Sequence, residues 1–337
     1  MPFTPDPASL RTHTIPAWYD EAKFGIFVHW TPTCIPAWAP TGKGDYHEVI
    51  RREGFATYFL NNPYSEWYQN GLRLGAGPVW EHHRDAWGAD HPYERFADAY
   101  NDALERWDPD AMAGVFADAG ARYVVLVTKH HDGFTLWPSA VQNPRRPGYH
   151  ARRDVVGELS AAVRRRGMRM GLYYSGALDW TFSAAPIREA VDTLATVDPS
   201  PEYGAYAYGQ VRELVDRYRP SVLWNDIAYP EEGRYLELLA AYYEAVPEGV
   251  VNDRWMPTGV EMQRALANPL VKAAAGAIAR RIMLNPAPSD PGVPFDYSTL
   301  EYNVARKVLP RKWECVRGIG KSFGYTANEP EDGFLRP

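Results

Sequence analysis

The stretch YVVLVTKHHDGFTLWPS (Tyr123–Ser139) divides into two parts of opposite character. Its first five residues, Tyr123–Val127, are continuously apolar and β-branched-rich. A strand covered on both faces reads this way, whereas a strand with one wet face alternates. The run therefore predicts a buried parallel strand. The next residues, Thr128–Asp132, bring a lysine, two histidines and an aspartate to the point where that strand gives way to a loop. In folds built from strand–helix repeats, the carboxyl ends of the strands are where ligands bind and chemistry is done.

The same unit recurs on both sides. KFGIFVHW (Lys23–Trp30) reads as the first strand. Phe96, Tyr100 and Leu104 repeat every four residues, as on one helix face. Asp108-Pro109 then reads as an N-cap followed by proline at the first helical position. Met112, Val115, Phe116 and Ala119 are the expected buried face of that helix, and Gly120 its stop. Further on, a helix through Val155, Leu159 and Val163 precedes the strand MRMGLYYS (Met168–Ser175). A helix through Val211, Leu214, Val215 and Tyr218 precedes SVLWND (Ser221–Asp226), and one through Leu236, Leu239 and Tyr243 precedes GVVNDRW (Gly249–Trp255). Alternation of this kind implies right-handed βαβ units and a parallel sheet. Each strand ends in polar or aromatic residues: His29-Trp30, His130-His131-Asp132, Tyr173-Tyr174-Ser175, Asn225-Asp226 and Asn252-Asp253-Arg254. Five such ends on one face fit a closed (β/α)8 barrel better than an open sheet, whose site lies mainly at one switch point.

Two regions break the rhythm. Residues 38–92 are rich in Gly, Pro, Trp and His with weak periodicity and read as a long active-site loop region. Residues 256–294 read as an insertion, with a helical Ala-rich stretch (Val271–Arg281) and a Pro-rich loop (Asn285–Pro294). The expected organisation is one barrel domain over 1–337.

Composition bounds the function classes. The 337 residues are 45% apolar and 23% charged, which suits one large core. A net charge of −6 with no long basic run gives no electrostatic footprint for nucleic acid or an acidic membrane surface. No run of 18 apolar residues occurs and the N-terminus has no apolar signal core, so the expectation is a cytoplasmic protein that can oligomerise. Twelve Trp and 22 Tyr supply a large core, and they also suit sugars, whose apolar faces stack on rings. Cys34 and Cys315 carry no metal or catalytic signature and read as small buried hydrophobes.

Asp226 follows an apolar strand, where an aspartate either caps the next helix or sits exposed as a reactive carboxylate. The turn-like Tyr229-Pro230 that follows and the neighbouring Trp224 favour the second role, a nucleophile at the floor of an aromatic pocket. Hydrolysis of a glycosidic bond needs a second carboxyl group about 5–5.5 Å away for the retaining route. Glu66, in SEWYQN, and Glu301, in TLEY, are candidates because aromatic neighbours can desolvate them. His29, His130, His131 and Asp132 allow a metal reading, although adjacent histidines on a strand face opposite ways unless the strand ends between them. Arg254 serves either as a plain partner of Asp253 or Asp226, or as a group that keeps a nucleophile ionised.

In WYDEAKFGIFVHW (Trp18–Trp30), SEWY (Ser65–Tyr68), the segment Phe96–Ser139, GLYYSGALDW (Gly171–Trp180), LWND, VNDRW and WECVRGIGKSFGY (Trp313–Tyr325), the chain resembles the α-L-fucosidases of glycoside hydrolase family 29. These pieces lie in order along nearly the whole chain. The resemblance implies a retaining fucosidase on a (β/α)8-like barrel, acting on a fucosylated glycan with no metal or organic cofactor. It implies Asp226 as nucleophile, Glu301 as acid/base, and Glu66 as a supporting residue or alternative acid. His29, His130, His131, Tyr173 and Arg254 would bind the sugar hydroxyls or orient Asp226, and Trp67 and Trp224 would line the pocket. The family usually continues beyond RGIGKSFGY with a last barrel strand and a β-sandwich, so the barrel is expected to be incomplete or irregular at its C-terminal end. A fucose-binding protein without turnover and a metal-dependent hydrolase are the rival readings.

Overall fold

The computed structural model describes residues 2–42, 44, 46–284, 294–303, 305 and 307–335. Strands β1 (Gly25–Val28), β2 (Tyr123–Lys129), β3 (Arg169–Tyr174), β4 (Val222–Asn225) and β5 (Val250–Val251) form one sheet in that order, and every neighbouring pair is parallel. A parallel bridge between Asn252 and Tyr297 leads on to β6 (Tyr297–Glu301), which pairs in parallel with β7 (Lys312–Val316). The architecture is therefore α/β with parallel strands taken in chain order.

Period-two alternation explains why these strands are apolar throughout. In β2, Val125 and Val127 turn inward and Val124 and Leu126 turn outward. The inward set joins Phe27, Tyr173, Val222, Trp224, Val250, Tyr297 and Val316, so all seven strands wall one shared interior. The outward set packs beneath Leu159, Val163, Leu214 and Leu238 of the covering helices. Those helices include α1 (Phe96–Leu104), α2 (Pro109–Asp118), α3 (Val155–Arg165), α4 (Pro201–Tyr218) and α5 (Tyr235–Ala245). Truncating Leu126, which is 0% exposed, to alanine would cost about 2–5 kcal/mol through transfer and cavity terms. Between β7 and β1 no ladder joins the edges among the described residues. A groove of about 1040 Å³ lies there, lined in part by Phe27, Tyr123, Trp313 and Val316.

The caps read from sequence are present. The Asp108 carboxylate accepts from the backbone N–H groups of Asp110 and Ala111 at 2.9 and 3.1 Å, and Pro109 occupies the first helical position of α2. The expected buried face of α2 is corrected, however. Ala113 is its one fully buried residue, Val115 is 66% exposed and Ala119 is exposed. Apolar spacing marks a stripe but not how far a neighbour covers it.

Residues 38–92 are a second correction. Short helices occupy Tyr46–Glu53, Phe55–Leu60, Tyr68–Leu74 and Pro78–Trp87. None reaches three full periods, and Gly54 and Gly77, both at positive φ, separate or start them. The 256–294 insertion forms α6 (Val260–Leu266) and α7 (Pro269–Leu284), which extends the expected helix at both ends; residues 285–293 of the Pro-rich loop lie outside the described residues. Cys315 is exposed and Cys34 half-buried, against the expectation that both are buried. In β7 the inward positions belong to Glu314 and Val316, so Cys315 between them faces out. No helix among the described residues is long and apolar enough to cross a membrane.

Candidate active site

The buried pair Lys129–Asp179, 2.9 Å apart and 0% exposed on both sides, closes β2 just before the two histidines. β2 ends at Lys129, so His130 and His131 both lie beyond the strand and the opposite-facing rule no longer separates them. Their rings lie 4.0 Å apart between centroids, and His130 also stacks on Tyr173. His131 Nδ1 pairs with Ser175 Oγ at 2.7 Å, which fixes the ring and leaves Nε2 3.8 Å from Asp226 Oδ2.

Asp226 follows β4 directly, its backbone N–H bonded to the Tyr174 carbonyl at 3.2 Å. Tyr173 donates its hydroxyl to Asp226 Oδ2 at 2.7 Å, and Arg254 donates Nη1–H to Oδ1 at 2.7 Å. The other arm of Arg254 donates to Glu301 Oε1 at 2.6 Å. One guanidinium thus joins the two carboxylates, which bounds the separation of the bonded oxygens at about 8 Å. Burial opposes the charge on Arg254, but Glu301 and Asp226 together raise its basicity above the ordinary arginine value. The ring of Trp224 lies under the guanidinium at 4.9 Å and stacks on Tyr173.

Ile227, immediately after Asp226, has φ +64°, and Tyr302, immediately after Glu301, has φ +47°. For a β-branched residue the left-handed region is a strained conformation. Such strain persists where the surroundings over-determine it, and both instances flank a carboxylate of the pocket.

Glu66 is 3% exposed, and burial raises its carboxyl to about 7. Its Oε1 lies 3.3 Å from His29 Nδ1. Burial lowers His29 to about 4, with the charge of Asp226 opposing, so the imidazole is neutral over most of the pH range. Gly324 lies against Glu66: a Cβ there would run into the Glu66 carboxylate, so an alanine must push that side chain aside. Both ring nitrogens of His29, Nδ1 of His130 and Oε2 of Glu66 are buried without a hydrogen-bond partner among the described residues. Buried polar atoms are rarely left so, and four in one place suit contact with a polar ligand.

His29, Glu66, Trp67, His130, His131, Tyr173, Trp224, Asp226, Arg254 and Glu301 all line one pocket of about 540 Å³. Asp132 does not: its carboxylate accepts from Tyr93 and from the Phe134 backbone, and burial raises it to about 6. The histidine–aspartate set expected around it is therefore not assembled. A different one is, since His130, His131 and Asp226 bring one potential ligand atom each within 4.8 Å. Sequence reasoning missed Phe323, which edges on His29, and the Ala279, Ile282 and Met283 wall supplied by α7. It also missed Glu314, a charge at an inward position of β7 that accepts from Trp224 Nε1 at 2.8 Å and that burial raises to about 7. The alternation in KWECV was the available signal for Glu314.

Comparison with known proteins gives one consistent result. A family model described as alpha-L-fucosidase matches residues 1–335. The tissue alpha-L-fucosidase of Bos taurus is 36% identical over 265 residues, covering 75% of this chain and 49% of the relative. The alpha-L-fucosidase of Dictyostelium discoideum is 29% identical over 336 residues, covering 95% of this chain and 59% of the relative. Among solved structures, the alpha-fucosidase of Thermotoga maritima in complex with fucose superimposes with a TM-score of 0.77 at 40% identity, over 99% of this chain and 66% of that one. The chain spans about half the length of the mammalian relatives it matches.

Proposed function

The chain belongs to the alpha-L-fucosidase family, and we propose that it hydrolyses terminal α-linked L-fucose from oligosaccharides or glycoconjugates by a retaining double displacement. The observation that carries this reading is the Arg254 fork joining Asp226 and Glu301 at the floor of an aromatic pocket. Asp226 Oδ attacks the anomeric carbon while the bond to the departing oxygen breaks. Glu301 gives that oxygen its proton, so the aglycone leaves as a neutral alcohol and a fucosyl ester remains on Asp226. Glu301, now ionised, takes a proton from water, and the hydroxide so formed displaces Asp226 from the anomeric carbon. Two inversions give net retention. His29, His130 and Glu66, with their unpartnered buried atoms, would bind ring hydroxyls. Trp67 and Phe323 would meet the apolar faces and the methyl group.

The metal reading has one observation in its favour, the His130–His131–Asp226 cluster. Against it, both oxygens of Asp226 already accept from Tyr173 and Arg254. A guanidinium 2.7 Å from one of them also repels a second cation.

The test is hydrolysis of an aryl α-L-fucoside, with and without chelator, by the wild type and Asp226→Gly. The expected result is chelator-indifferent turnover, released first as the α-anomer. It is lost in the variant and recovered in part when azide replaces the missing nucleophile. Fucose binding without turnover by the folded wild type would move the reading to a binding protein.

A further inference from the structure

The pocket is divided by polarity. Its inner end carries the histidines, Asp226, Arg254 and Glu301 from the strand ends, with Glu66 from the short helical turn Ser65–Trp67. Its outer wall is built from Ala190 and Leu194 of the segment preceding α4, and from Ala279, Ile282 and Met283 of α7. None of those five side chains carries a hydrogen-bonding group other than the weak thioether acceptor of Met283, and Thr193, which lines the same segment, donates its hydroxyl to the Ala190 carbonyl at 2.6 Å.

α7 is held close by small contacts. Lys272 pairs with Asp192 at 2.7 Å, and a Cβ on Gly276 would sit 3.8 Å from Val191. The helix has no fully buried residue, and Ile282 at the pocket rim is 59% exposed. An isoleucine facing a pocket mouth is apolar surface that a ligand can cover. Hydroxyls of a second sugar would lose water against such a wall without gaining partners there.

We propose that α7 walls a leaving-group subsite that favours an apolar aglycone, an alkyl or aryl chain, over a further sugar among the fucosides the inner pocket accepts. This rests on the reading that the inner pocket takes a terminal fucose. The aglycone lies on Ile282 and Met283 as the anomeric carbon meets Asp226, and each methylene covered strengthens binding about fourfold.

Calorimetric binding of methyl and octyl 1-thio-α-L-fucosides, kept below micelle-forming concentrations, tests this without requiring turnover. The octyl compound should bind the wild type at least tenfold more tightly than the methyl compound. Ile282→Asn and Met283→Gln should each cut that preference threefold or more. Ile282→Ala, a milder change at an exposed helical position, serves if either variant fails to fold. Equal binding of the two compounds by the wild type overturns the proposal, as does a preference that survives in the folded variants. If methyl thiofucoside binds or an aryl fucoside is turned over, that failure belongs to the apolar subsite alone. If neither compound binds and no fucoside is hydrolysed, the fucose reading falls, and this one with it.

Discussion

Replacing Arg254 by methionine, which keeps the length of the stem and removes the charge, tests the central feature of the site. In the wild type Arg254 Nη1 lies 2.7 Å from Asp226 and Nη2 lies 2.6 Å from Glu301. The charge centres of such a pair are about 4 Å apart, which at an effective dielectric near 20 is worth about 4 kcal/mol. Removing the cation also leaves two carboxylates facing each other within about 8 Å, a repulsion of roughly 2 kcal/mol at the same dielectric. The Asp226 and Arg254 side chains are 13% and 23% exposed, so solvent screens part of this. A net loss of roughly 1.5–4 kcal/mol moves the acid limb of a rate profile upward by about 1–3 pH units. The assay is kcat/KM for an aryl α-L-fucoside from pH 4 to 9 in wild type, Arg254→Met and Arg254→Lys. Lysine restores the charge but not the fork, so its limb should lie between the other two. An acid limb that stays in place while activity falls equally at every pH would refute the argument, and would reduce Arg254 to a binder of sugar hydroxyls.

Two further outcomes follow from Glu66. Its folded-state value near 7 is raised above the unfolded value of about 4.3, so the fold favours the protonated form. The stability this contributes is fully present below about pH 4.3 and is lost as pH rises through 7, a change of about 3 kcal/mol. The buried histidines, depressed in the fold, act in the opposite direction, so the readout is the difference in urea-unfolding free energy between wild type and Glu66→Gln. That difference should move by about 3 kcal/mol against the wild type between pH 4.5 and 8; a flat difference sinks the assignment. Separately, Gly324→Ala should lower stability by about 1–3 kcal/mol and weaken fucose binding, because its Cβ would displace Glu66. Unchanged melting temperature and affinity would contradict the contact.

What could be read in the sequence followed from strand physics. A strand buried on both faces must be apolar to its end, so the polar residues that follow YVVLV and SVLW marked the inner end of the pocket, and Asp226 and His131 meet there. Arg254 was visible for the same reason, one turn of chain beyond β5. What could not be read depends on which surfaces meet. The helices of 46–87 are short, and Val115 fits a helix stripe yet lies 66% exposed because nothing among the described residues covers that part of α2. Whether His130 and His131 can address one ligand depends on where the strand stops, which the sequence leaves open; its end at Lys129, before both, frees them. The α7 wall was legible as a helix but not as part of the pocket, since its apolar residues carry no sign of which surface they address.

The choice between Glu301 and Glu66 as the proton donor comes down to two different physical qualifications. A general acid needs to hold a proton near the working pH and to reach the departing oxygen. Glu66 meets the first: buried, set beside a neutral His29, and raised to about 7. Glu301 fits the second under the proposed function, because it shares a guanidinium with Asp226, the proposed nucleophile. In the free site Arg254 donates to Glu301 Oε1 at 2.6 Å, so a sugar entering between the two carboxylates must displace that contact before Glu301 can donate. The two assignments part company on leaving groups. Loss of the true acid slows an alkyl fucoside by 10²–10⁴-fold, the usual worth of general acid catalysis, but barely slows a fucosyl fluoride, which needs little protonation to depart. Glu301→Gln is expected to show that contrast, and Glu66→Gln to slow both substrates alike through weaker binding. If the contrast belongs to Glu66→Gln instead, proton retention has outweighed position, and the Arg254 fork serves only to keep two anions in place.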